Sequence, residues 1–364
     1  MQQTAIPYTF MRGGTSRGPY MQRADLPKDL NQLEDVLIAI VGSGHALNID
    51  GIGGGATVTT KVAMLSKSED EWADVDYFFA QVSVEDRLVD FKPTCGNILV
   101  GVGPAAIEMG LVSIQGVQTE IKIRAVNTGA RVLATINTST GSVNYDGTTQ
   151  IDGVPGMSAP VRLLFMDVVG GTTGQMFPTG NRIDVIDGIE VSCMDVAMPM
   201  VIARAVDFGL TGHESTAELD NNPEFFARME PLRIKAGQMM GMGDVAKSVT
   251  PKFGLLAKPE AGGTACVRYF MPWSCHPSLA VTGSQCLSTC LLCPGTVGAG
   301  IATPLPNTSP APLLLEHPMG QLEVIVDFEH SNETFNLKSA GLVRTARKLA
   351  EGRVFIPAAI WEGF

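Results

Sequence analysis

Cys95-Gly96-Asn97-Ile98-Leu99-Val100-Gly101-Val102-Gly103-Pro104-Ala105-Ala106-Ile107-Glu108-Met109-Gly110-Leu111 opens on polar residues, is then almost wholly apolar, and closes at a glycine. A helix that is apolar all round belongs inside a core, and a glycine just past its last turn is a helix stop. The segment therefore predicts a buried helix. Its internal glycines and Pro104 lower helix propensity, so the pattern fixes the helix better than it fixes its ends. The chain around it holds 40 glycines and 22 prolines without a short period, which predicts many turns and many short strands.

Working outward, residues 5–24 read as strand, glycine turn (Gly13, Gly14) and strand. Leu33, Val36, Leu37, Ile40 and Val41 have amphipathic-helix spacing within 30–42. A glycine loop at 50–55 follows, then a strand around 59–65 and a hairpin from 77–84 and 88–91. From 117 to 186, short alternating runs separated by Gly, Asn and Asp predict antiparallel strands. The second half replays the first. Thr60-Lys61-Val62-Ala63-Met64-Leu65 resembles Pro251-Lys252-Phe253-Gly254-Leu255-Leu256, and Thr94-Cys95-Gly96-Asn97 is mirrored by Val281-Thr282-Gly283-Ser284 ahead of another apolar run. Two matches at nearly one offset predict a duplicated domain. The expected division is 1–186 and 187–364, with the final strand free to return to the first domain.

The chain has 364 residues, 45% hydrophobic and 17% charged, enough for two globular domains. Its net charge of −11 and the absence of a basic stripe argue against a nucleic-acid partner. Residues 1–10 lack the basic-then-apolar order of a signal peptide, and no uncharged apolar run reaches the roughly 18 residues that would span a membrane. Seven cysteines, an odd number, predict reduced thiols and a cytoplasmic location. An anionic substrate would then need a local set of donors inside an acidic protein.

Several residues could supply them. At Cys95-Gly96-Asn97, a turn opening a helix leaves N–H groups that attract a carboxylate, and a thiol there could exchange protons; Cys95 could equally be a small capping residue. Thr282-Gly283-Ser284 offers a second helix start of the same kind. Lys61 lies in an apolar strand and is either a lysine snorkelling from the sheet edge or a desolvated amine suited to general-base work. Arg12-Gly13-Gly14-Thr15-Ser16-Arg17-Gly18 is a donor-rich turn for a carboxylate or a solvated hairpin; it lacks the ending of a Walker loop. The glycines at 51–55 come after a helix and before a strand, the wrong order for a dinucleotide turn. Cys275, His276, Cys286, Cys290 and Cys293 lack zinc-ribbon spacing, so no metal is expected, and His276 is either a carboxylate ligand or a satisfied buried imidazole.

These motifs, with Asp50-Gly51-Ile52-Gly53-Gly54, Val126-Asn127-Thr128-Gly129, Asp152-Gly153-Val154-Pro155-Gly156, Cys275-His276, His317-Pro318-Met319-Gly320 and Arg344-Thr345-Ala346-Arg347, resemble the 4-oxalomesaconate tautomerase and 2-methylaconitate isomerase family over nearly the whole chain. Phe79-Ala80-Gln81-Val82 and Gly42-Ser43-Gly44 are nearest to the tautomerase branch. The resemblance implies an α+β, diaminopimelate-epimerase-like fold: two similar domains, each a barrel-like sheet around a central helix, with the active site in the cleft between them. It implies an isomerase that uses no cofactor and no metal. It makes Lys61 the candidate base, with Cys95 opposite a polycarboxylate substrate.

The epimerases carry a cysteine on each domain. Here the second position is Thr282, so a two-thiol racemase is not expected and a lysine-driven keto–enol or allylic shift is. Thr15, Ser16, Arg17, Gly96, Asn97, His276, Thr282, Gly283 and Ser284 are the expected substrate-binding residues. Thr94, Met198 and Pro277 depart from the family's usual residues, which bears on the substrate more than on the reaction. The rival substrates are 2-methylaconitate and 3-methylitaconate. A non-catalytic organic-acid-binding protein is the rival of another class. A homodimer without nucleic-acid or membrane partners fits the same reading.

Overall fold

The computed structural model describes residues 2–302, 304–331 and 334–364. The chain divides into two units, Met1–Leu163 with Val343–Phe364, and Leu164–Leu342. In chain order the first carries β1 (Gln3–Gly13), β2 (Ser16–Gln22), α1 (Leu30–Val41), β3 (Lys61–Lys67), β4 (Val75–Val82), β5 (Val89–Asp90), α2 (Gly96–Val100), α3 (Val102–Glu108), β6 (Gln118–Ala125), β7 (Arg131–Asn137) and the start of β8 (Pro160–Met166). The second carries β9 (Asp184–Ile186), β10 (Ile189–Val196), β11 (Met198–Arg204), α4 (Thr216–Asp220), α5 (Pro223–Met239), β12 (Lys252–Ala257), β13 (Ala265–Phe270), α6 (Val281–Leu292), β14 (Ala311–His317), β15 (Gly320–Ser331) and the start of β16 (Thr334–Pro357). The later residues of β16 belong to the first unit, where they pair antiparallel with β1. No helix among the described residues is long and apolar enough to cross a membrane.

The fold is mixed α+β, and the two units repeat one topology. In the first, β1–β2, β3–β4 and β6–β7 are antiparallel, while β2–β3 and β4–β6 are parallel. In the second, β10–β11, β12–β13 and β14–β15 are antiparallel, while β11–β12 and β13–β14 are parallel. Parallel neighbours need a crossover, and helices supply one each time. Helix α1 joins β2 to β3, and α2 with α3 lies between β4 and β6; α4 with α5 and then α6 do the same in the second unit. The two lysines matched in the sequence, Lys61 and Lys252, each open the strand after the first crossover.

Local chemistry explains the helices. Helix α1 starts because the Asp29 carboxylate accepts from the Gln32 N–H at 2.9 Å, and it stops at Gly42, whose φ of 79° is open to glycine. Its apolar stripe packs with β3 and β4 residues Val62, Met64, Ala80 and Val82. The glycine loop that follows is a packing device: a Cβ on Gly51 would lie 2.2 Å from the Gly42 nitrogen and 2.4 Å from the Val41 carbonyl oxygen. In the second unit, α6 and the α4–α5 pair face separate apolar clusters, so its sheet is covered on both sides.

The predicted helix over 95–111 exists but is broken. Gly101 separates α2 from α3. The Tyr20 phenol fills the space where a side chain would stand, since a Cβ on Gly101 would meet its oxygen at 2.3 Å. That hydroxyl donates to the Ile98 carbonyl, which also accepts from the Gly101 N–H at 3.0 Å. Pro104 then falls in the first turn of α3, where its missing N–H costs nothing.

Candidate active site

The first unit carries seven of the expected site residues, and Thr15, Cys95, Gly96 and Asn97 among them meet at the start of α2. Cys95 is the N-cap of this helix, with φ −128° and ψ 109°, and its carbonyl takes the first helical bond, from Leu99 N–H at 2.9 Å. The N–H groups of Gly96, Asn97 and Ile98 are left without an intrahelical acceptor and point outward from the helix start. Cys95 is half-buried, whereas the other six cysteines are buried, and all seven are free thiols.

The β1–β2 hairpin is clasped to this helix start. Asn97 Nδ2 donates to Thr15 Oγ1 at 3.1 Å, and the Thr15 N–H reaches Asn97 Oδ1 at 3.4 Å. The fit requires glycine at two places. A Cβ on Gly14, whose φ is +51°, would lie 2.1 Å from Asn97 Oδ1, and one on Gly13 would lie 2.3 Å from the Asn97 carbonyl oxygen. Ser16 is 3% exposed, and its hydroxyl has no hydrogen-bond partner among the described residues. A buried hydroxyl in that state costs about 1–3 kcal/mol until a ligand or water satisfies it.

The arginines of this turn differ. Arg12 is spent on structure: its Nη1 donates to the carbonyls of Gly14 and Thr345, both at 2.9 Å. Burial, and then Arg347 directly opposite it on β16, push the Arg12 guanidinium below its ordinary range. Arg17 is exposed, with its guanidinium 5.9 Å from the Phe10 ring centre.

Lys61 neither snorkels freely nor sits alone. It is half-buried, its Nζ donates to Gln81 Oε1 at 2.7 Å, and its amine lies 5.4 Å from the centre of the Phe79 ring. The contact follows from register, because Lys61 and Gln81 are directly opposite in the β3–β4 ladder. Tyr77, Phe79 and Gln81 alternate along β4 and so share a face. Tyr77 bonds the Cys95 carbonyl at 3.3 Å, so one strand face touches both the capping thiol residue and the lysine. Tyr20 and Tyr77 are fully buried; burial first, and the nearby Cys95 second, hold both phenols protonated, well above the ordinary tyrosine range.

In the second unit, α6 opens at Val281 after Ala280, leaving the N–H groups of Val281, Thr282 and Gly283 without intrahelical acceptors. Ser284 is buried and its hydroxyl donates back to the Val281 carbonyl at 2.7 Å, so the Ser284 side chain serves the helix. Thr282 is exposed, and its hydroxyl contacts Met198 Sδ at 3.3 Å. Gly283 rests on Tyr269, where a Cβ would lie 2.5 Å from the ring.

His276 is half-buried. Its Nδ1 accepts from the Ser278 N–H at 3.0 Å, which leaves the neutral ring's proton on Nε2, free to donate. Burial, with Lys252 adding to it, pushes the imidazole below its usual range.

Among the described residues, His213, Cys266 and Glu316 bring ligand atoms within 4.8 Å of one another. Two of the three are already engaged within the protein. Glu316 accepts from the N–H groups of Glu260, Ala261 and Gly263 at 2.7–2.8 Å, and Arg268 Nη1 lies 3.2 Å from the Cys266 sulfur. The cysteines near His276 in sequence form no such group with it. Sequence reasoning did not assign roles to Tyr20, Tyr77, Phe79 or Gln81. The Phe-Ala-Gln-Val run and the strand around 59–65 were visible, but the pairing that sets Gln81 opposite Lys61 was not.

The chain is 46% identical over 352 residues to the Escherichia coli (strain K12) protein YbhH, covering 97% of this chain and 99% of that one. It is 43% identical over 363 residues to a 4-oxalomesaconate tautomerase of Pseudomonas putida, covering 100% and 99%. The crystal structure of a methylitaconate-delta-isomerase matches with a TM-score of 0.90 at 32% identity, over 99% of this chain and 97% of that one. Relatives of this similarity over full length, on a fold of this repeated form, remove the non-catalytic alternative. From residue 3 to residue 357 the chain belongs to the PrpF protein family, and it is an isomerase.

Proposed function

We propose that this isomerase moves a proton within an unsaturated oxo-tricarboxylate such as 4-oxalomesaconate, by a keto–enol or allylic shift, with Lys61 as the base. The observation that carries the reading is the β4 face, where Gln81 and Phe79 hold the Lys61 amine and Tyr77 bonds the carbonyl of Cys95. In this reading Lys61 takes a proton from carbon next to a carbonyl or conjugated carboxylate. Charge develops on the oxygen of the resulting dienolate, and the N–H groups of Gly96 and Asn97 are donors of the kind that stabilise it. The proton returns to a different atom, oxygen in a keto–enol shift or another carbon in an allylic one, from Lys61 or from the Cys95 thiol. Thr15, Ser16 and Arg17 bind a remote carboxylate, and the unpartnered Ser16 hydroxyl supports that role. In the second unit, the His276 Nε2–H and the helix-start N–H groups of Thr282 and Gly283, just before Ser284, are donors of the kind a carboxylate takes. We place the enzyme in the cytoplasm, which suits seven free thiols.

A second reading, isomerisation of 2-methylaconitate or 3-methylitaconate, is favoured by the fold match to a methylitaconate isomerase. The higher identity to the tautomerase favours the first. Supplying 4-oxalomesaconate, 2-methylaconitate and 3-methylitaconate side by side in deuterated water decides between them by which one isomerises and takes up deuterium. Lys61→Ala should lower turnover by about 10²–10⁴-fold, the usual contribution of a general base. A folded Lys61→Ala enzyme at the parent rate would remove the base assignment.

A further inference from the structure

We infer that Gln81 is a positioning residue that aims the Lys61 amine, and that the surrounding backbone locks its amide in the one orientation able to do so. The inference rests on the proposed role of Lys61. A lysine has a long flexible stem, so a base built on it needs a fixed acceptor to hold the nitrogen in one place. Gln81 Oε1 provides that acceptor at 2.7 Å, from the directly opposite ladder position.

The amide cannot turn over without loss. Gln81 Nε2 lies 3.2–3.3 Å from the carbonyl oxygens of Thr57, Thr60 and Val82 and from Thr60 Oγ1. The Thr60 hydroxyl is itself committed as a donor to the Val82 carbonyl at 2.7 Å, so it offers the amide lone pairs. All four neighbours of the amide nitrogen are therefore acceptors. A flipped amide would set its carbonyl oxygen against three others and offer Lys61 an N–H instead of a lone pair. Thr60 is fully buried, and Thr57 begins the short turn leading out of the glycine loop, so the lock ties the amine to the loop as well as to the sheet. Because Gln81 is neutral, it holds the amine without pinning it as an ion pair.

That last point makes the role testable apart from a merely structural one. Gln81→Glu keeps an acceptor of the same length but adds a negative charge beside the amine. An opposite charge at that distance should raise the base limb of the rate–pH profile by about 1–3 pH units, with activity returning towards the parent rate at high pH. Gln81→Met keeps length and removes the acceptor. It should lower kcat about 10²-fold at every pH, the scale of a misplaced catalytic group, while KM changes less than threefold. Lys61→Ala is measured alongside, with whichever of 4-oxalomesaconate or 3-methylitaconate the parent enzyme isomerises.

If Lys61→Ala is inactive while folded Gln81→Met stays within threefold of the parent and Gln81→Glu leaves the pH limb in place, the positioning role is wrong and the base assignment survives. If Lys61→Ala is active, both fall. Should one Gln81 variant fail to fold, the other decides; unfolding of both would make Gln81 a framework residue and overturn the inference.

Discussion

Gly18→Ala tests whether the spacing of β2 and β3 sets the position of the lysine. Gly18 lies on β2, and a Cβ there would sit 1.8 Å from the Lys61 carbonyl oxygen and 3.0 Å from its carbonyl carbon. Ordinary contact begins near 3.4 Å, so the two backbones must part by about 1.6 Å. Neither side can yield by rotating a side chain, because both are main chain in paired strands; Tyr20 is opposite Ala63 in this parallel ladder. Separation on that scale breaks the local ladder bonds, each worth about 0.5–1.5 kcal/mol, and adds overpacking of about 1–3 kcal/mol. With two such bonds lost, the two terms together give a loss of about 2–6 kcal/mol. Because the displaced atoms belong to Lys61 itself, the rate should fall about 10²-fold beyond any loss of folded protein, the scale of a 1 Å misplacement. Urea titration measures the first effect, and turnover per folded molecule measures the second. A Gly18→Ala enzyme with the parent's urea midpoint and a rate within twofold would refute the close-approach argument and the link from strand spacing to the base.

Gly101→Ala should cost about 1–3 kcal/mol of overpacking, because its methyl would meet the fully buried Tyr20 ring, and thermal unfolding would show it. Glu316→Gln should destabilise by about 2–3 kcal/mol in chemical denaturation, since three backbone N–H groups lose a charged acceptor. Burial alone would raise the Glu316 pKa, but those three bonds and His213 prevail and lower it, so its contribution is present above pH 4.5 and is lost as pH falls through the lower folded value. His276, lowered chiefly by burial, favours the fold when neutral; stability should therefore decline as pH falls below about 6.5 towards its folded pKa, and His276→Gln should flatten that part of the unfolding profile.

Local patterns in the sequence carried the architecture a long way. The period of Leu33, Val36, Leu37, Ile40 and Val41 with Asp29 and Gly42 at the ends is enough to specify α1, because caps and apolar spacing act within a few residues. The matched lysines and helix starts foretold the repeated crossovers, since a duplicated chain repeats its connections. Family motifs pointed to Lys61 and Cys95 as candidates, and composition argued against a nucleic-acid partner.

Only the tertiary structure decided what surrounds those two residues. The split at Gly101 depends on Tyr20, 81 positions earlier, entering the space a side chain would need. The partner of Lys61 depends on register, and shifting β4 by one residue would turn Gln81, Phe79 and Tyr77 to the opposite face. Sequence periodicity records which face of a strand is apolar. It does not record which residue of a distant strand lies opposite, because that is set by the hydrogen-bonded ladder and the packing of the whole sheet.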